Sequence, residues 1–186
     1  VIGGGSQNTV GSSKYSIIGA GRLNAISSGQ YSSILGGQSN TVTGQGLLID
    51  GGLQNTLAGH DSTILGGSWN NVESEYAGVF GNGNVISAEE SLYGTIIGQS
   101  NQVRAVNAMA IGSWLTSTTA NSIELGVSDA TKISITTAGI AGPGAGLTGL
   151  SASALAASLA ENSPVEGALA AQFKAGVEAL IQTSPS

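Results

Sequence analysis

The side chains best suited to chemistry in this sequence are four glutamates, one histidine and a glycine-rich run. Glu73, Glu75, Glu89 and Glu90 fall at one corner of neighbouring repeats. Stacked carboxylates repel unless water or a cation lies between them, and hard cations such as calcium take carboxylate and carbonyl oxygens. The repeat-type calcium motif Gly-Gly-x-Gly-x-Asp is absent, so the glutamates are read as a solvated corner and no metal is assigned. His60-Asp61-Ser62 sets the residue types of a nucleophilic triad side by side. Adjacent residues do not generally reach the geometry in which a base lies between nucleophile and orienting acid. His60, the only histidine, is therefore read as an exposed corner residue. Gly144-x-Gly146-x-x-Gly149 matches a dinucleotide fingerprint in its letters. That fingerprint needs a βαβ unit with an acidic residue on a second strand. Glu166 lies at the right distance but in helical sequence, so a hinge explains the glycines better. No catalytic or cofactor-binding residue is assigned, and the expectation is a chain that is not an enzyme.

Recurring polar and aromatic residues are more informative. Asn8, Asn24, Asn40, Asn55, Asn70, Asn84 and Asn101 follow one another at steps of 16, 16, 15, 15, 14 and 17 residues. Asparagines at one repeat position can bond each other or corner backbone groups. A glycan-binding row is the alternative. A structural ladder is preferred, because regular buried corners need satisfied polar groups. Tyr15, Tyr31, Tyr76 and Tyr93 recur at one corner, and Trp69 and Trp114 sit in others. Exposed aromatics suit sugar or protein recognition. Packing against a neighbouring subunit is the preferred reading, with the tyrosine corners facing a shared axis. Thr9, Thr41 and Thr56 suggest an ice-binding column, but Ala25, Asn71, Val85 and Gln102 break it.

The elements that position these residues follow from the pattern Ile-x5-Asn-x-Val, which occurs seven times with small drift. Ile2, Ile18, Ile34, Ile49, Ile64, Val79 and Ile96 form one aliphatic column. Val10, Ile26, Val42, Leu57, Val72, Ile86 and Val103 form the other. A repeat this short is one coil of a solenoid, which buries apolar side chains only by stacking on the next coil. Each coil reads as two short strands and two corners, with glycine supplying positive φ. The predicted fold class is an all-β solenoid of about nine coils over residues 1–130, a parallel β-roll. Asn107–Gly112 and Asn121–Gly126 read as its two terminal coils, the last in the position of a cap. A strand and Gly-rich connector occupy 131–149. C-terminal helices follow over 150–186, with Leu155, Leu159, Leu169, Phe173, Val177 and Ile181 on one stripe and Pro164 at a helix start.

Composition narrows the function. The 186 residues include 30 glycines, with only 9% charged and 4% aromatic residues, so a conventional core of large side chains is excluded. A mean hydropathy of +0.20 and regular aliphatics argue against disorder. The net charge is −6, and Lys14, Arg22, Arg104, Lys132 and Lys174 form no cluster, so no nucleic-acid partner is expected. With no cysteine there is no disulfide or thiolate framework. No run reaches transmembrane length, so no direct membrane insertion is expected of this segment. Val1 falls inside a repeat, so the chain is expected to be a fragment or processed product.

Strand neighbours of the inward isoleucines point outward, and many are apolar: Ile17, Leu35, Leu48, Leu65, Phe80 and Ile97. A contiguous apolar stripe on a rod marks an oligomer interface, and an amphipathic helix with no large body beside it calls for copies of itself. Asn107-Ala-Met-Ala-Ile-Gly112, with its 14-residue step to Asn121, resembles the head repeat of trimeric autotransporter adhesins of the YadA type. The longer Ile-x-Gly-Gly-x-x-Asn-x-Val-x-Gly coils resemble a variant of it that also occurs in phage-type tail fibres. Gly144-Ala-Gly-Leu-Thr-Gly-Leu150 resembles connectors in such fibres. The resemblance covers roughly residues 1–127 and implies a left-handed roll, a homotrimer and a displayed binding surface. No anchor barrel or self-cleaving chaperone domain follows in this sequence. The expectation is a non-enzymatic extracellular fibre or adhesin head, on a cell surface or virion, with a surface glycan or protein as ligand. The alternatives are a structural filament subunit assembling end to end and a phage-type tail fibre or tailspike.

Overall fold

The computed structural model describes residues 1–87 and 91–142. Glu89, Glu90, the glycine motif at 144–149 and the helices expected over 150–186 lie outside the described residues. Val1–Pro143 forms one compact unit. It is an all-β solenoid of about eight turns, made of a ten-stranded and an eight-stranded sheet that the chain visits alternately.

The two aliphatic columns explain the two sheets. In the isoleucine sheet, Ile18 pairs in parallel with Ile34, Ile34 with Ile49, Ile49 with Ile64, Ile64 with Val79, and Val79 with Ile96. In the valine sheet, Val10 pairs with Ile26, and the register continues through Val42, Leu57, Val72 and Ile86 to Val103. A parallel in-register stack puts like side chains above one another. Each coil therefore closes over two aliphatic residues that its neighbours bury from above and below. Twelve of the fourteen column residues are buried. Ile2, 44% exposed, and Val10, only partly buried, depart from the expectation. Both lie on the outermost described coil, which has a neighbour on one side only. Full burial of such a side chain contributes about 1.5–3 kcal/mol, which a coil gains only when flanked on both sides.

The corners differ from expectation in one respect. Glycine does not carry the positive φ alone. Among the described residues fifteen non-glycine residues adopt φ between 49° and 61°, including Leu23, Trp69 and four tyrosines. L-residues enter this left-handed region at a cost of roughly 1–2 kcal/mol. A hydrogen-bond ladder offsets it: at twelve of these positions the residue donates its N–H to a carbonyl one coil back. Trp69 donates to Leu53 at 3.0 Å and Tyr31 to Lys14 at 3.1 Å. Glycine is obligatory two residues earlier in the first corner. A Cβ on Gly37, at φ +90°, would stand 2.2 Å from the Gly52 carbonyl oxygen. The coils approach too closely there for any side chain.

The far end closes differently from a ninth full coil. Ser122–Gly126 joins the isoleucine sheet, but the chain then reverses, and Ile133–Thr136 and Gly139–Ala141 add antiparallel strands. The core turns polar over the same stretch. The isoleucine column ends in Ala110 and then Glu124, and the valine column ends in Ser117. Glu124 is buried and accepts a hydrogen bond from Ser134 Oγ. Lys132 Nζ lies 3.5 Å from Glu124, 3.1 Å from Asp129 and 2.9 Å from the Thr116 carbonyl oxygen.

Candidate functional site

The seven asparagines form one continuous column. Asn24 Nδ2 donates to Asn8 Oδ1 at 3.2 Å, and the same link runs through Asn40, Asn55, Asn70 and Asn84 to Asn101. Each Oδ1 also accepts the backbone N–H of the next asparagine, and Asn101 Oδ1 ends the series by accepting from Leu115 N–H at 3.0 Å. The amides additionally reach corner carbonyls, as Asn40 Nδ2 does to Gly52 at 3.0 Å. Asn24 through Asn101 are buried. With their polar atoms engaged inside the roll, they offer nothing to a glycan.

A second interior polar column escaped the sequence reading. Ser32 Oγ donates to the Gly44 carbonyl at 3.0 Å and accepts from Leu47 N–H at 3.2 Å. Ser62 repeats this with Ser74 and Ala77. The signal was present, since Ser16 and Ser32 each follow a tyrosine and Ser62 follows Asp61, all at left-handed corners. Interruption by Leu47 and Ala77 obscured it. Glu124 was missed as well, because it replaces an aliphatic residue of the inner column.

The residues with triad chemistry do not assemble. His60 and Asp61 are exposed, whereas Ser62 is buried and its Oγ is committed to the His60 and Ser74 carbonyls. A hydroxyl donated to two backbone acceptors has no base to activate it. Glu73 is exposed and accepts from Asn71 Nδ2 at 3.1 Å. Among the described residues no group of three or more His, Asp or Glu side chains is arranged to hold a metal ion.

What the roll does present is contrasted faces and two rows of aromatics. The outer face of the isoleucine sheet is apolar. Leu65 is 54% and Phe80 56% exposed, and Phe80 lies in register with Ile97, Ile111 and Leu125. Beside them run Met109, Ile123 and Ile135. Asp50 interrupts the row between Leu35 and Leu65. The outer face of the valine sheet carries Thr41, Thr43, Thr56, Asn71, Glu73, Gln102 and Arg104. Tyr15 and Tyr31 stack with ring centroids 5.1 Å apart and planes within 12°, and Tyr76 and Tyr93 stack at 5.0 Å and 11°. All four rings are exposed, as are Trp69 and Trp114 on the opposite corner, at 60% and 64%. These aromatics are exposed in the single chain and form no part of its core.

No protein-family model matches the chain, and no curated protein matches its sequence. The class the geometry defines is a parallel β-solenoid in which, among the described residues, every buried side-chain polar atom has a hydrogen-bond partner.

Proposed function

We propose that this chain is a non-enzymatic extracellular fibre segment or adhesin head that works as a homotrimer and presents its corners to a surface ligand. The observation that carries the reading is the apolar outer face of the isoleucine sheet, continuous from Leu65 to Ile135. Large side chains in such a stripe favour burial by about 25 cal/mol per Å² of apolar surface covered. A left-handed roll with three copies around one axis, as the YadA-type resemblance implies, sets this face inward. The polar valine sheet and the corners then face water, so the isoleucine face takes the axial place that the sequence pattern suggests for the tyrosine corners. Three equivalent displays on one stiff body raise avidity without a strong individual site. Among the described residues the buried seryl and asparaginyl side chains are committed to backbone carbonyls and to one another, which supports presentation over catalysis.

Light scattering of the purified chain tests this directly. The expected mass is roughly three times the 18.2 kDa of one chain. Phe80→Lys combined with Ile97→Lys is expected to shift that mass to the monomer. A stable wild-type monomer would sink the trimer. Long filaments in electron micrographs of the same sample would favour the structural polymer.

A further inference from the structure

The left-handed corner columns carry a spacing of aromatic residues that closure of the coils does not require. At the return corner the successive residues from Tyr31 are Tyr31, Gly46, Asp61 and Tyr76, each bonded through its N–H to a carbonyl one coil back. At the opposite corner the sequence from Trp69 is Trp69, Gly83, Ser100 and Trp114, joined in the same way. In both columns two aromatic residues stand three coils apart, with glycine and one small polar residue between them. Left-handed backbone favours Gly, Asn and Asp, and the return column uses them at Gly46, Asp61, Asn107 and Asn121. Bulky aromatics at φ 55° to 60° are the costly choice, and their rings bury little in return. Strained positions of this kind point to use.

We propose that the two gaps are notches that each take neutral hexopyranose rings of a surface polysaccharide. Three coil steps separate the walls by about 14 Å, which leaves two levels of about 4.8 Å without a large side chain. The Tyr15–Tyr31 stack at 5.1 Å demonstrates that one level admits a flat six-membered ring. Each tyrosine wall lies nearly parallel to its stacked neighbour, Tyr31 to Tyr15 and Tyr76 to Tyr93, which suits a flat sugar face continuing the stack; a rounded cation is held by rings set around it at angles. The floors are polar. Asp61 Oδ1 fills the place of the absent Gly46 side chain, 2.1 Å from where its Cβ would be, and so puts a carboxylate acceptor beside the Tyr31 wall. Exposed Gln45 and His60 flank this notch, and exposed Asn82 and Gln99 flank the other. Carboxylate and amides bond sugar hydroxyls, and Asp61 disfavours acidic sugars. The inference deepens the reading above by naming a ligand class, and it requires both corners to stay exposed in the assembly.

Trp69 and Trp114 are the only tryptophans of the chain, so tryptophan emission reports their notch alone. The full chain would be titrated with neutral gluco-, manno- and galacto-hexaoses, followed by emission and by calorimetry. At least one series is expected to shift the emission to the blue with saturation. Trp69→Asn and Tyr31→Asn each remove one wall with a residue that tolerates left-handed backbone. Each is expected to weaken binding roughly threefold to tenfold, with the unfolding midpoint unchanged or raised. Leu23→Asn, in the tryptophan column but away from the gap, is expected to leave binding intact. No response to any of the sugars, or equal binding by all variants, overturns the notches while leaving the trimer standing. A changed mass in Trp69→Asn or Tyr31→Asn with no sugar effect assigns these corners to a subunit contact and also overturns them. Sugar binding by a stable monomer would count against the trimer only.

Discussion

Each interior asparagine ties three coils together through one side chain. Asn40 donates to Asn24 Oδ1 and to its own Gly36 carbonyl, reaches forward to the Gly52 carbonyl, and accepts from Asn55. Replacing it strands several buried groups at once. Asn40→Ala is expected to destabilise the roll by about 1–3 kcal/mol for each group left without a partner. Asn8→Ala, on the outermost described coil, is expected to do less harm. Equal denaturant midpoints for the two variants would show that the ladder carries no such load. Backbone geometry yields a second contrast two residues apart. Gly37→Ala forces a Cβ against the Gly52 carbonyl and is expected to lower the midpoint sharply. Ser39→Gly relieves a φ of 55° and is expected to be neutral or stabilising by up to about 1 kcal/mol. A loss of stability in Ser39→Gly would refute the strain argument.

At the scale of elements, the strands were readable because stacking makes sequence period and spatial register the same thing. Ile-x5-Asn-x-Val names two inward strand positions and one corner seal, and the sheets pair those residues with their counterparts one coil on. Left-handed tyrosine, tryptophan and leucine were not readable, because local preference argues against them and only the inter-coil ladder overrides it. A strand was expected over 131–149, but its reversal into a closing hairpin was hidden for a related reason. Ser-Ile-Glu-Leu keeps its aliphatics on the outer face, as the coils before it do, but turns a glutamate inward where they have isoleucine, valine or alanine. Around that glutamate, Asp129 holds the hairpin to Thr116 and Lys132. Partial burial works against its charge, but the Thr116 N–H and the Lys132 ammonium outweigh this and hold its carboxyl below the ordinary 3.8. A carboxylate with a lowered folded value stabilises the fold above its unfolded value and loses that contribution as pH falls through the folded one. The closing hairpin is therefore expected to loosen below about pH 4. Asp129→Asn should flatten the dependence of thermal unfolding on pH in that window. An unchanged slope would exclude Asp129 as the source. The contribution is modest, because the side chain is half exposed and solvent screens it.

For the whole molecule, each coil contacts only its neighbours, so stability accrues coil by coil while the surface is free to vary. The described interior has its buried side-chain polar atoms hydrogen-bonded and its aliphatic columns packed, so under the proposed reading recognition falls to the outer faces and corners. The in-register backbone ladder has a metric consequence. It graduates the corners like a ruler whose divisions are about 4.8 Å. Duplication or loss of a whole coil between Tyr31 and Tyr76, or between Trp69 and Trp114, would widen or narrow the opening by one division and never by a fraction. Changes within a coil would leave the divisions alone. In the proposed notches ligand size would thus be a digital property, set by counting coils, whereas ligand chemistry would be set separately by the residue at each mark.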